Sequence, residues 1–522
     1  MAGISAIASG AAAVYFRCKK NPDFKKKVDI LADKAANKLF EGVSAILPEM
    51  NWQNMSDYKS ENFMPGNDNF LSEASPMAKW RLGYASEVLT PDDYETETYY
   101  LGGYLHFPAN RVTGVIDDEM VRTICLDDSS GRGSVVFAVI DCACISGGDV
   151  RKIRERLAGF AKEHNIVSIN ISATHCHSAI DIYGLWGDLP KIVKNNFMAI
   201  RQKRYGDLIS GQNKKFMEKL FALTEKSVME AYGDMKPGRL YFCENEDLVF
   251  SRDGRMPDVR TKDITRIRFT PDDGSKETAA VILAAHAVAV GYDNTEISAD
   301  HIYYMDEILK KAGKNFIYFQ GAELAVRTQR DGIVPEGSTE EGWKEYGWAL
   351  GRYLLNLPPD KDEEIEPVLN IKLSEIFVPA SNFILLAMAK LGIVSNIILK
   401  AGKKAADTRY VTEVGYTELG KRLRFALIPG EMAPELLLGG AFSADESYNK
   451  TEWNHQPMKD MLPEGTTLKV IGLCNDLVGY ILPDNDFGSI FSKDHYEEVA
   501  SAGIETGPAI VVAFKDLVDS VK

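Results

Sequence analysis

The chain has 522 residues, enough to bury a sizeable core, and its 45% hydrophobic and 26% charged content is that of an ordinary globular protein. A formal charge of −15 argues against a nucleic-acid partner, because phosphate binding needs a basic surface and no long basic patch supplies one. Seven cysteines with no C-x-x-C pair among them exclude a disulfide framework, a zinc ribbon and a thioredoxin-like site. A reducing compartment, the cytoplasm, is expected.

Residues 1 to 16 are small and apolar, but no basic stretch precedes them; Arg17, Lys19 and Lys20 follow instead. That makes a poor secretory signal and too short a membrane span. Asn21-Pro22 opens a helix, with Asn as N-cap and Pro at the first helical position. Phe24, Val28, Leu31, Ala35 and Leu39 then recur at helical spacing. This stripe is expected to pack on the main domain, with membrane or partner docking as the alternative. Residues 50 to 75 are polar, turn at Pro65-Gly66-Asn67-Asp68, and read as a linker. The expected organisation is a helical N-terminal extension and linker over 1–80, followed by one main domain over 81–522.

Beyond residue 80 strands and helices alternate. Asp127 to Gly133 reads as a hairpin-like turn, and Ser134 to Ile140 as a strand ending at Asp141. Val150, Ile153, Leu157 and Phe160 follow at helical spacing, and Ile166 to Ile171 is a second apolar β-branched run. This order implies a parallel pair with a right-handed crossover, and ligands gather beyond the carboxyl ends of such strands. Asp141 and His175 lie there. On extended chain His175 and His177 point the same way and Cys176 points away, a pattern that fits a metal site or two hydrogen-bonded loop histidines.

The run Ala279 to Ala285 delivers His286 in the same manner, and the two ends meet if their strands are neighbours. Phe383 to Leu399, interrupted by Lys390, Gly392, Ser395 and Asn396, reads as a buried or lipid-facing helix. Arg424 to Ile428 is another buried strand, broken by Pro429-Gly430 and followed by Glu431, which alone reads as a helix first-turn acid. Tyr480, at the end of the run from Val470, alone reads as core packing. No P-loop, G-x-S-x-G elbow or internal repeat occurs, and Gly102-Gly103 is too bare for a phosphate cradle. The fold class is α/β: one large domain around a mixed sheet with flanking helices, preceded by the helical extension.

As a set, these segments resemble the neutral/alkaline non-lysosomal ceramidases. Thr174-His175-Cys176-His177-Ser178 is similar to that family's T-H-T-H-S-G-P signature. Leu101-Gly102-Gly103-Tyr104, Ala284-Ala285-His286 with Ile297-Ser298-Ala299-Asp300, Pro429-Gly430-Glu431, Asn475 to Tyr480, and Tyr496-Glu497 resemble further blocks. The blocks fall in the family's order across roughly residues 81 to 515. The resemblance implies one zinc ion (Zn2+) held by His175, His286, Glu431 and Tyr480. It places His177 beside the metal or the substrate, and makes Tyr496 the donor to a developing oxyanion.

Two departures stand out. Phe319 to Arg327 matches the family's serine motif but contains no serine, and Ala179-Ile180 replaces the G-P. No segment matching the family's C-terminal immunoglobulin-like domain is expected. The implied activity is zinc-dependent hydrolysis of an amide bond in ceramide or another N-acyl lipid, with zinc-bound water as the nucleophile. The alternatives are a metal-binding homologue with lost or altered catalysis, and a hydrolase of a different ester or amide. The expected partner is a small-molecule or lipid amide, with a peripheral membrane contact.

Overall fold

The β-branched runs assemble into two large sheets. In the computed structural model, residues 14 to 521 are described, apart from 49, 51, 247–249, 330–341, 403–406, 441 and 489–495; most of the apolar opening segment, residues 1–13, lies outside them. Strands β1 (Trp80–Val88), β2 (Met120–Asp127), β3 (Ser134–Ile140) and β4 (Ile166–Ala173) belong to the larger sheet. So do β5 (Lys236–Glu246), β6 (Asp263–Pro271), β7 (Thr278–Leu283), β8 (Asn315–Gln320) and the short β9 (Glu363–Ile365). The strand order is β8-β7-β6-β5-β1-β2-β3-β4, with β9 added on β5. β3 runs parallel to β4 and β7 parallel to β8, while the other pairs are antiparallel, so the sheet is mixed as expected.

The second sheet holds β10 (Leu369–Pro379), β11 (Ile397–Lys400), β12 (Thr408–Leu419), β13 (Leu423–Leu427) and β14 (Thr467–Ile471) in the order β10-β12-β13-β14, with β11 also on β12. Among the helices are α1 (Pro22–Ile46), α2 (Gly147–Glu163), α3 (Lys214–Gly233), α4 (His301–Lys311), α5 (Gly342–Leu355), α6 (Phe383–Lys390) and α7 (Thr506–Ser520). The two sheets face each other across a core that includes Leu82, Phe137, Phe269 and Phe319 from the larger and Ile371, Phe425 and Ile471 from the smaller. Helices cover the outer faces, α2 and α3 over one half of the large sheet, α4 and α5 over the other, and α7 over the second sheet. Alternation explains β3: Val136, Ala138 and Ile140 meet the helices, whereas Val135, Phe137 and Val139 meet the second sheet. A strand covered on both faces reads as one continuous apolar run.

The large sheet is strongly curved. Its edge strands β4 and β8 stand at opposite ends of the strand order. Yet the side chain of Gln320, at the end of β8, donates to the carbonyl of Thr174, just past β4, at 2.9 Å. The rings of Phe137 and Phe319 lie 6.1 Å apart. Curvature thus brings together strand ends that the sequence could join only as neighbours.

The local expectations meet different outcomes. The run from Phe383 is helical only to Lys390; Gly392 adopts φ +63° and the chain re-enters the second sheet at Ile397. The polar stretch read as a linker is pinned along β10, with Asn67 N donating to Ile371 O at 2.7 Å and Leu71 N to Asn370 Oδ1 at 2.9 Å. Asn21 does cap α1, accepting from Phe24 N at 2.9 Å, although residues 14–20 are already helical. The apolar stripe of α1 is only partly covered: Leu31 and Leu39 are 66% and 65% exposed. No helix among the described residues is long and apolar enough to cross a membrane.

Candidate metal centre

His175, His286 and Glu431 each follow a strand of the curved sheet or its partner sheet, and their side chains converge. His175 Nε2 lies 3.2 Å and His286 Nε2 3.1 Å from Glu431 Oε2. One ligand atom from each of the three lies within 4.8 Å of the others, and all three residues are buried. The two ring orientations are fixed from behind. His175 Nδ1 donates to the Ala143 carbonyl and His286 Nδ1 to the Val326 carbonyl, both at 2.8 Å. A carbonyl can only accept, so each Nδ1 carries a proton and each Nε2 faces inward toward Glu431 Oε2.

His175 reaches this position through a left-handed backbone, φ +59°, two residues beyond the end of β4. That conformation costs a β-carbon residue of order 1–3 kcal/mol and persists only where the surroundings enforce it. They do: Cys176 N donates to Cys142 O, and His177 N to Ala287 O, tying the loop to both halves of the sheet. Burial would lower the basicity of His175, but the carboxylates of Glu431 and Glu323 outweigh it and raise it. Burial likewise would raise Glu431, and His175 and His286 hold its carboxyl well below the usual range. The centre therefore favours an ionised Glu431.

His177 sits beside the triad, its Nε2 3.1 Å from His175 Nε2, while its Nδ1 has no hydrogen-bond partner among the described residues. Burial and the neighbouring His175 and His286 push its basicity down, so it is neutral. Gly103, at φ +96°, lies against the His177 ring so closely that a β-carbon there would collide with it. Tyr104 meets the same ring edge-on at 4.6 Å between centroids. Gly103, the second of the bare glycine pair, is thus the seat of this histidine.

Tyr480 stands opposite Glu431 in a short parallel pairing, Glu431–Met432 with Tyr480–Ile481. Burial and the Glu431 carboxylate push its phenol far up. Tyr496 is half-exposed, with Arg327 donating to its hydroxyl at 3.3 Å, and its ring meets Tyr480 edge-on at 6.4 Å. Leu105, Phe107 and Tyr292 are exposed in this region; Tyr292 packs on Tyr104. Asp141 takes no part: it binds Arg122 at 2.8 Å, which also binds Asp306 at 3.0 Å, a buried ion cluster inside the sheet.

Two residues of the centre escaped sequence reasoning. Gln320 Nε2 donates both to Thr174 O and to Ala285 O, at 2.9 and 2.7 Å, clamping the backbones that precede His175 and His286. Glu323, in the serine-less segment, is fully buried, and neither carboxylate oxygen has a hydrogen-bond partner among the described residues. Burial pushes its carboxyl up to about 8, against the nearby charge of His175. The only sequence signal was an acid enclosed by apolar Ala322, Leu324, Ala325 and Val326.

No family model matches the chain, and no curated protein does. Among solved structures the fold is similar to that of neutral ceramidase from Pseudomonas aeruginosa, with a TM-score of 0.62 at 14% identity over 85% of this chain and 74% of that one. A ceramidase described as complexed with C2 gives the same TM-score of 0.62 and 14% identity, over 85% of this chain and 75% of that one. The chain thus has a mixed α/β, ceramidase-like fold.

Proposed function

We propose that this chain is a zinc-dependent hydrolase that cleaves the amide bond of ceramide or another N-acyl lipid. The observation that carries the reading is the spacing of the inward atoms. Ligand atoms held about 2 Å from a tetrahedral metal stand about 3.3 Å apart, and the two histidine-to-glutamate edges here measure 3.2 and 3.1 Å. Two imidazoles and one carboxylate suit zinc once His175 gives up the proton it shares with Glu431, and the buried Nδ1 donors behind the rings are the usual support of such ligands. His175, His286 and Glu431 are assigned as ligands, with Tyr480 as the fourth. Bound there, zinc supplies Lewis acidity toward a carbonyl oxygen and toward water.

The chain's own groups do the rest. His177, neutral and beside the triad, accepts or donates a hydrogen bond to the substrate through a ring already seated by Gly103 and Tyr104. Tyr496 donates its phenolic proton toward the oxygen that gains charge, and Arg327 beside it stabilises that charge. Leu105, Phe107 and Tyr292 offer apolar surface for an acyl chain. The extension over 1–80 is assigned a role apart from the chemistry: α1 contacts a lipid surface, as its uncovered leucines and the eight basic against four acidic residues of the first 46 support.

Elemental analysis of the purified protein, followed by hydrolysis of a fluorogenic short-chain ceramide with and without chelator, tests the reading. One zinc per chain and a rate lost to chelator and restored by zinc are expected. A chain that binds no divalent metal, or a rate indifferent to chelator, overturns it. The absent serine favours one second reading, a metal-binding homologue without catalysis; bound zinc with no turnover across amide and ester substrates identifies that case.

A further inference from the structure

We propose that Glu323 takes over the proton transfers of the reaction, occupying the segment in which ceramidases carry their serine. The inference rests on the hydrolase reading above and adds to it a residue that no sequence motif marks. A carboxylate with no solvent exposure and no partner for either oxygen among the described residues is costly to bury, and native proteins keep such groups where a ligand or a proton completes them. Its neighbours Leu324 and Val326 are hydrogen-bonded to Met432 and to His286, which sets Glu323 at the edge of the centre, outside the set of three whose ligand atoms converge. We therefore assign it to the reacting atoms rather than to the metal.

The turn that carries it is fixed on both sides. Leu324 N donates to Met432 O at 3.2 Å, next to Glu431, and Val326 N to Glu323 O at 2.7 Å. Val326 in turn receives both the backbone N–H and the ring Nδ1–H of His286 on its carbonyl. One short segment thus orients His286, joins the strand of Glu431 and carries the orphaned carboxylate. In the step, a proton passes from the attacking water to a Glu323 oxygen as the water oxygen bonds to the carbonyl carbon. The C–N bond then breaks with its electron pair remaining on nitrogen. The same proton passes from Glu323 to that nitrogen, leaving carboxylic acid and amine.

Three measurements on the zinc-loaded full chain compare wild type, Glu323→Gln and Glu323→Asp. Zinc content should stay at one per chain in all three. Hydrolysis of the fluorogenic ceramide should fall about 10²- to 10⁴-fold in kcat for Glu323→Gln, with KM unchanged, and recover in part for Glu323→Asp. Octanoyl hydroxamate, which must give up its hydroxyl proton on binding, should bind at least about tenfold more weakly to Glu323→Gln than to wild type, whether or not either protein turns over an amide. Loss of zinc in Glu323→Gln would make Glu323 a metal ligand and overturn the proposal, as would unchanged turnover and hydroxamate affinity. Wild type that binds the hydroxamate in a Glu323-dependent way but cleaves no amide leaves the role of Glu323 standing and removes the amidase reading instead.

Discussion

His175 and His177 are two residues apart, share a ring contact, and differ in what supports them. His175 has a carbonyl behind its Nδ1 and a carboxylate before its Nε2. His177 has an Nδ1 with no partner among the described residues and meets only the edge of the triad. His175→Ala should therefore abolish zinc binding, whereas His177→Ala should weaken zinc affinity or activity by about 10- to 100-fold, as loss of an outer partner does. Zinc titration after exhaustive dialysis measures both, and equal losses would show that the two rings play the same part. Glu119 offers a pH test outside the metal centre. Burial pushes its carboxyl up to about 8, against the backbone N–H that it accepts from Ile180, and its other oxygen has no partner among the described residues. The unfolded value is about 4.3, so the folded chain holds the extra proton between the two, and stability falls as pH rises through that window. In zinc-saturated protein the melting temperature should decline from pH 5 to pH 9, and Glu119→Gln should flatten the decline. A slope identical in both proteins would rule Glu119 out as its source.

At the scale of elements, the centre depends on strand ends held in register across a curved sheet. Gln320 bridges the two, and Gln320→Ala leaves the carbonyls of Thr174 and Ala285 without that donor. Each orphaned buried group costs about 1–3 kcal/mol, so the variant should melt at lower temperature and bind zinc more weakly; retained affinity would show that the loops hold themselves. The strands that deliver the proposed ligands were legible as short apolar runs; in Ala279 to Leu283, burial on both faces leaves an unbroken apolar signature. Which strands meet was not legible. β4 and β8 are separated by the whole width of the sheet, and only its curvature, set by pairings between strands far apart in sequence, closes the gap. The same holds for Asp141, which lies at a strand end as expected but is consumed by Arg122. Glu323 was hidden for a further reason: a lone acid in a loop ordinarily faces water, and nothing short of the packed structure reveals that this one does not.

At the scale of the whole molecule, charge and apolar surface are unevenly divided. The chain carries −15 overall, yet its first 46 residues hold eight basic and four acidic side chains. In the same segment Leu31, Leu39 and Ile46 of α1 are 66%, 65% and 80% exposed. One side of α1 rests against α6, and Lys26 lies over the ring of Tyr448 at 4.2 Å, so the helix is docked by a minority of its surface. A basic amphipathic helix with an uncovered apolar face partitions into the headgroup region of anionic bilayers, and its affinity falls as salt screens the basic side chains. The proposed metal ligands all lie beyond residue 170, and the hydrogen bonds that pin Asn67 and Leu71 to β10 do not involve α1. Removing residues 1–46 should therefore keep zinc at wild-type stoichiometry while abolishing co-sedimentation with phosphatidylserine-containing vesicles. Replacing Leu31 and Leu39 by Ser in the full chain should have the same effect on vesicles without touching the fold. Vesicle binding that survives both changes would move the membrane contact to another surface, such as that of Leu105 and Phe107. A shortened chain that folds but has lost its zinc would show instead that the extension shapes the centre, and that the division near residue 80 is not a functional one.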